Sequence, residues 1–237
     1  MTDMNDHTAV SLVIFDLDDT LIDFATTRQL AYTELGKHLD LEGIDSVAYL
    51  QACAACDRPL FVQFEQGLLT RAQYRLQRFA DPFTQLGVTP REALIEELNK
   101  IFMDCVNDTP RLYEDAWPTL ERLRARGLRL AILTNGPSDG QRRKLEATGL
   151  GRLVDTIAIG EEIGFSKPSA RAFHTVLEGF EAKGAETLMV GDSPELDYDA
   201  ALQAGLQATL LDRSGQHRAS GRRAVESLHA ILAHAGG

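Results

Sequence analysis

No stretch of this chain is apolar for long enough to make a bilayer-spanning helix, so an integral helical membrane protein is excluded at the outset. Cysteine is scarce. Three residues, an odd number, do not make the disulfide framework of a small secreted domain. Cys53 and Cys56 form a C-x-x-C, but no second pair completes a zinc site, and on a helix the two lie on one face. Helix packing is the expected role. Positive charge is also short, with 24 Lys and Arg against 35 acidic residues and a formal charge of −11. Such a surface repels a nucleic-acid polymer, yet leaves room for a small phosphorylated molecule in a local cationic pocket. The six histidines (His7, His38, His174, His217, His229 and His234) are scattered and contain no H-E-x-x-H, so surface or packing positions are expected. Met1–Thr8 is polar and lacks the basic-then-apolar order of a signal peptide, which leads us to expect a frayed tail and a cytoplasmic protein.

What remains is an ordinary globular composition, 44% hydrophobic and 25% charged over 237 residues, enough for one domain with a sizeable insertion. Short apolar runs bounded by polar residues suit buried strands: Ser11–Phe15, Leu128–Leu133, Thr187–Val190, Ala208–Leu211 and, more weakly, Thr156–Ile159. Helical patterns alternate with them. Asp115 is expected to cap one helix, Ser138 or Asp139 a second, and Ser193 a third that stops at Gly205. Pro168 is expected in the first turn of another, which carries Phe173, Val176 and Leu177. This alternation implies βαβ units and a doubly wound parallel sheet, an α/β fold. Between 24 and 111 it lapses into consecutive helices. Two capping-box patterns fall there, Thr70-Arg71-Ala72-Gln73 and Thr89-Pro90-Arg91-Glu92. The expected organisation is a discontinuous core, 9–23 with 112–237, and an all-helical insertion, 24–111. An exposed loop from Arg213 to Arg223 should precede a last helix through Leu228 and Leu232.

In an open α/β sheet, ligands bind at the carboxyl ends of the strands. Those ends are where the reactive residues collect. The first carries Asp16-Leu17-Asp18-Asp19-Thr20, the second Thr134-Asn135-Gly136, a later loop Ser166-Lys167-Pro168, and the fourth Gly191-Asp192-Ser193-Pro194-Glu195-Leu196-Asp197. Carboxylates about 4 Å apart repel by roughly 4 kcal/mol at an effective dielectric of 20, so a cluster of them needs a counter-ion. All-oxygen ligation selects a hard cation, Mg²⁺ being the expected one. Asp16 is placed to attack phosphorus and form an acyl phosphate, and Asp18 to move protons to the leaving oxygen and from water. Thr134, with the backbone N–H groups of Asn135 and Gly136, can hold phosphate oxygens, and Lys167 offers charge where it develops.

The four segments, in this order, closely resemble the motifs of the haloacid dehalogenase superfamily: D-x-D-x-T at Asp16–Thr20, Thr134 with its Asn-Gly, Lys167-Pro168, and G-D-x-x-x-x-D at Gly191–Asp197. The resemblance spans Ser11 to Leu211. It implies a Rossmann-like core and identifies the insertion with the superfamily's helical cap of the first type. It also implies Asp16 as nucleophile, Asp18 as acid and base, and Thr134 and Lys167 as partners of phosphate and nucleophile. The implied magnesium ligands are the Asp16 carboxylate, the Asp18 backbone carbonyl and Asp192. Asp197, Thr20 and Ser193 fall in the outer shell, with Asp197 acting through water or by orienting Lys167.

The superfamily's dehalogenases lack an aspartate at the position of Asp18, and its phosphomutases usually carry Gly where Thr20 stands. Both features point to a phosphomonoester hydrolase, with a small soluble ester (a nucleoside monophosphate or sugar phosphate) as substrate. A phospho-aspartate receiver module also gathers acids, Thr and Lys on such a sheet. Receivers, however, are smaller and lack a helical insertion after the first strand. Within the insertion, Arg28, Arg58, Phe61, Gln63, Phe64, Arg71 and Arg75 are the candidates for choosing the leaving group. Phe61 and Phe64 are expected to serve packing first. Lys37 and Lys100 show no supporting pattern for a cap lysine.

Overall fold

A computed structural model describes residues 9–91 and 93–233, apart from the side chain of Glu65. The expected frayed tail, His7, His234 and the capping partner Glu92 lie outside the described residues. The chain divides into two compact units, one joining the segment up to Phe24 to that from Pro110 onward, the other Ala25–Thr109.

The first unit is built on six parallel strands: β1 (Leu12–Phe15), β2 (Arg129–Thr134), β3 (Thr156–Ile159), β4 (Thr187–Gly191), β5 (Gln207–Leu211) and β6 (Ala224–Val225), in the order β3-β2-β1-β4-β5-β6. β1 is central, with Phe15 opposite Ile132 on one side and Val190 on the other. Side chains of a strand alternate between faces, so β1 feeds two cores. Val13 and Phe15 pack with Leu120, Leu123 and Leu145, whereas Leu12 and Ile14 pack with Phe173, Val176 and Ala201. Burial on both faces is why the strands read as unbroken apolar runs. The covering helices are α5 (Ala116–Ala125), α6 (Ser138–Thr148), α7 (Gly160–Ile163), α8 (Ala170–Phe180) and α9 (Ala200–Gln203).

The described residues of the second unit form four helices: α1 (Phe24–Leu41, whose first residue belongs to the sheet-bearing unit), α2 (Ser46–Glu65), α3 (Arg71–Leu86) and α4 (Leu94–Asp108). α4 buries Leu94, Leu98, Phe102 and Val106, one residue per turn. Tyr49 and Phe83 meet at 4.5 Å between ring centroids, and the Tyr49 hydroxyl donates to the Phe79 carbonyl at 2.7 Å. Cys53 and Cys56 are buried in α2, and burial pushes the Cys53 thiol up to about 12, so it stays protonated. Phe64 stacks on Tyr74 at 5.2 Å, while Phe61 is 36% exposed. His38 does more than pack: it meets Glu97, whose carboxylate, with that of Glu42, binds Arg91. Arg91 thus already supplies the cation that this His–Glu–Glu group calls for.

Helix starts depart from expectation in four places. Thr70 and Gln73 do form the reciprocal capping box of α3. The Thr89 pattern does not start α4, which begins at Leu94 without a side-chain cap. Asp115 adopts helical angles and caps nothing, because its carboxylate accepts from Arg213 and from the Leu228 N–H. Pro137 holds the N-cap position of α6, and Ser138 instead donates its N–H to the Glu161 carboxylate and its hydroxyl to that of Glu162. Pro168 precedes α8, in a cis peptide with Lys167. Ser193 does cap, accepting the Leu196 N–H, but the turn that follows (Pro194–Asp199) is π-helical before α9. The closing helix through Leu228 is 3-10, and β6 was not anticipated.

Candidate active site

β1 and β4 end side by side, which sets Asp16 against Asp192 and Asp197. One carboxylate oxygen from each lies within 4.8 Å of the others. Lys167 enters from the loop after α7. Its Nζ donates to Asp16 Oδ1 at 2.6 Å and to Asp197 Oδ1 at 2.5 Å, and all three residues are buried. The second Asp197 oxygen accepts the Ser193 N–H at 3.0 Å, so this carboxylate is committed to holding Lys167 and the turn. Gly191 is there for space: a Cβ on it would stand 2.2 Å from Asp197 Oδ2. Thr20, completely buried, donates to Asp192 Oδ1 at 3.2 Å.

Burial raises the Asp16 carboxyl well above its ordinary value. Lys167 opposes that shift, while Asp197 and Asp192 add to it. Asp192 is pushed up to about 6, first by burial and then by the charges of Asp197 and Asp19. Burial alone would lower the Lys167 ammonium, yet the two carboxylates hold it above the usual lysine range and therefore charged. One ammonium faces three carboxylates. The donor set is all oxygen, and a hard divalent cation among Asp16 and Asp192 would supply the missing positive charge, so these residues fit Mg²⁺.

A second group lies along α6. The Asp18 carboxylate is not in the Asp16 cluster: Lys144 Nζ donates to both its oxygens at 2.7 and 2.8 Å, and Gln141 Nε2 to Oδ2 at 2.9 Å. Gln141 Nε2 also donates to Thr134 Oγ1 at 2.7 Å. The Gly136 N–H points toward the same hydroxyl at 3.5 Å, and a Cβ on Gly136 would fall 2.1 Å from Gln141 Nε2 and displace that side chain. Asn135 uses its side chain structurally. Its Nδ2 donates to the Lys167 carbonyl at 2.7 Å, and its Oδ1 accepts the Lys167 N–H at 2.8 Å, tying the second and third motifs together. Gln141 and Lys144 were missed in the sequence. The available signal was two polar residues on the inward face of α6, one turn apart beside Leu145.

A model of the haloacid dehalogenase-like hydrolase family matches residues 10–205, and the chain belongs to that family. Among characterised relatives, it is 32% identical to phosphoserine phosphatase of Thermus thermophilus, over 86% of this chain and 89% of that protein. It is 30% identical to the pyrimidine 5'-nucleotidase YjjG of Escherichia coli, over 92% and 95% respectively. The HAD-hydrolase YfnB of Bacillus subtilis, solved bound to magnesium, shares the fold with a TM-score of 0.77 at 24% identity, covering 96% of this chain and 99% of that one.

Proposed function

We propose that the protein is a magnesium-dependent phosphomonoester hydrolase that passes the phosphoryl group through Asp16, acting on a small phosphorylated metabolite such as a nucleoside monophosphate or a sugar phosphate. The observation that carries this reading is the buried Lys167 bridging Asp16 and Asp197 at 2.6 and 2.5 Å beside Asp192. A bare carboxylate cluster at a strand edge has no value for stability and much for phosphoryl transfer. The named relatives that hydrolyse phosphate esters support the class.

In this reading Lys167 holds Asp16 by one oxygen and leaves the other to attack phosphorus. Asp18 protonates the departing oxygen, then takes a proton from the water that cleaves the acyl phosphate. Thr134 and the backbone N–H groups of Asn135 and Gly136 hold the phosphoryl oxygens. Mg²⁺, bound by the Asp16 carboxylate, the Asp18 carbonyl and Asp192, would neutralise charge on the nucleophile and phosphate. Asp197, Thr20 and Ser193 support this set from behind. The helical insertion acts as a cap whose residues select the leaving group. Among the described residues no helix is long and apolar enough to cross a membrane. Three unpaired cysteines suit a cytoplasmic location.

The test is phosphate release from a panel of nucleoside and sugar monophosphates, with Mg²⁺ and with EDTA, for wild type and Asp16→Asn. Release that needs metal and disappears in the variant is expected. Turnover by folded Asp16→Asn at the wild-type rate would refute the mechanism.

A further inference from the structure

α6 breaks the usual rule for a helix lying on a sheet. Its inward face carries apolar Leu145, which joins the core, but also Gln141 and Lys144, which are 1% and 5% exposed. A buried ammonium is unfavourable unless it is fully engaged. Lys144 is engaged by both oxygens of Asp18 and by the face of Phe24, 4.3 Å from the ring centroid. A two-oxygen grip fixes the plane of the carboxylate as well as its position.

The Gln141 amide has only one chemically sensible orientation. Its Nε2 donates to Asp18 Oδ2 and Thr134 Oγ1, and turning it over would set Oε1 against a carboxylate that only accepts. Its Oε1 is buried with no hydrogen-bond partner, so the amide is held by what it donates to. This has a consequence for Thr134. The threonine oxygen faces two donors, Gln141 Nε2 and the Gly136 N–H, so its own proton must be directed elsewhere.

We propose that Lys144 and Gln141 are a positioning pair for catalysis. Lys144 fixes the Asp18 carboxylate for proton transfer, and Gln141 commits the Thr134 hydroxyl to donate to the phosphoryl group while setting its distance from Asp18. The inference rests on the roles given above to Asp18 and Thr134. Neither Lys144 nor Gln141 touches substrate in this scheme. Each acts through its partner.

The experiment compares kcat/KM for an alkyl phosphate, whose leaving oxygen needs a proton, with that for p-nitrophenyl phosphate, whose leaving group does not. Asp18→Asn is the reference. It should lose on the order of 100-fold with the alkyl ester, and far less with the aryl ester. Lys144→Met should reproduce that unequal loss, about 10-fold larger for the alkyl ester, and Lys144→Arg should recover part of it. Gln141→Leu should raise KM for both esters and weaken inhibition by inorganic phosphate together, roughly 10-fold. Equal losses on the two esters in Lys144→Met, beside an unequal loss in Asp18→Asn, would overturn the role of Lys144. Unchanged phosphate inhibition in Gln141→Leu would overturn that of Gln141. No differential in Asp18→Asn would instead remove the reading of Asp18 on which the inference stands. Should Lys144→Met fail to fold, Lys144→Gln, which keeps a polar donor but not the two-oxygen grip, carries the same comparison.

Discussion

Replacing Lys167 by Met keeps most of the side-chain volume and deletes the charge, which isolates the electrostatic part of its role. The buried ammonium bonds Asp16 and Asp197 at 2.6 and 2.5 Å. Without it, carboxylates within 4.8 Å of each other face one another. At that separation and an effective dielectric of 20, one pair of unit charges repels by about 3.5 kcal/mol. Deleting one partner of a buried ion pair costs about 3–5 kcal/mol, a range that contains this repulsion. With a urea m-value of about 3 kcal/mol/M, the midpoint should fall by roughly 1–1.7 M. Trp117, the single tryptophan, packs against the core beside β1 and reports the transition by fluorescence. The measurement is made in EDTA, so that no added cation substitutes for the lysine. A loss below about 1 kcal/mol would show that the carboxylates carry little charge in the folded protein, and the electrostatic account of this site would fail.

Two further predictions concern the supports of the site. Gly136→Ala forces a Cβ to within 2.1 Å of Gln141 Nε2. It should cost on the order of 2 kcal/mol of stability, and adding Gln141→Ala should recover part of that loss, read as non-additive urea midpoints. Asp115→Asn tests the strut from α5 to Arg213 and Leu228. Burial alone would raise the Asp115 carboxyl, but Arg213 and the Leu228 N–H outweigh it and hold the folded value below the ordinary 3.8. A depressed carboxyl stabilises the fold above its unfolded value, and this contribution disappears as pH falls through the folded one. The variant should therefore be about 1–3 kcal/mol less stable at pH 7, with the gap closing as pH falls below the ordinary aspartate value of 3.8. A gap independent of pH would contradict the assignment.

The sequence carried the strands because each core strand is buried on both faces and so reads as an apolar run. β6 escaped notice because two half-buried residues make no pattern; it is held by backbone pairing, with Leu210 N–H donating to the Arg223 carbonyl. Asp115 looks like a cap when only its neighbours are read. Its partner lies 98 residues away, and a half-buried bidentate guanidinium outcompetes a local amide. The acids at the strand ends were legible for the opposite reason: nothing in a stable core favours them there, so their presence pointed to chemistry. Asn135 shows the limit of that logic, since its side chain holds the Lys167 backbone. Gln141 and Lys144 carried a weaker form of the same signal, because a polar residue on a short helix is ordinary until its face is known.

The central claim is that phosphate passes through a covalent bond to Asp16, and the most direct measurement looks for that bond. Asp18→Asn, which should slow hydrolysis of the acyl phosphate, is mixed with its best phosphomonoester and Mg²⁺, then quenched and reduced with borohydride. An acyl phosphate is converted to the corresponding alcohol, so peptide mass spectrometry should find homoserine at position 16, and none when Asp16→Asn is treated in the same way. Active enzyme that shows no reduction at Asp16, or shows it at another acid, would contradict the account.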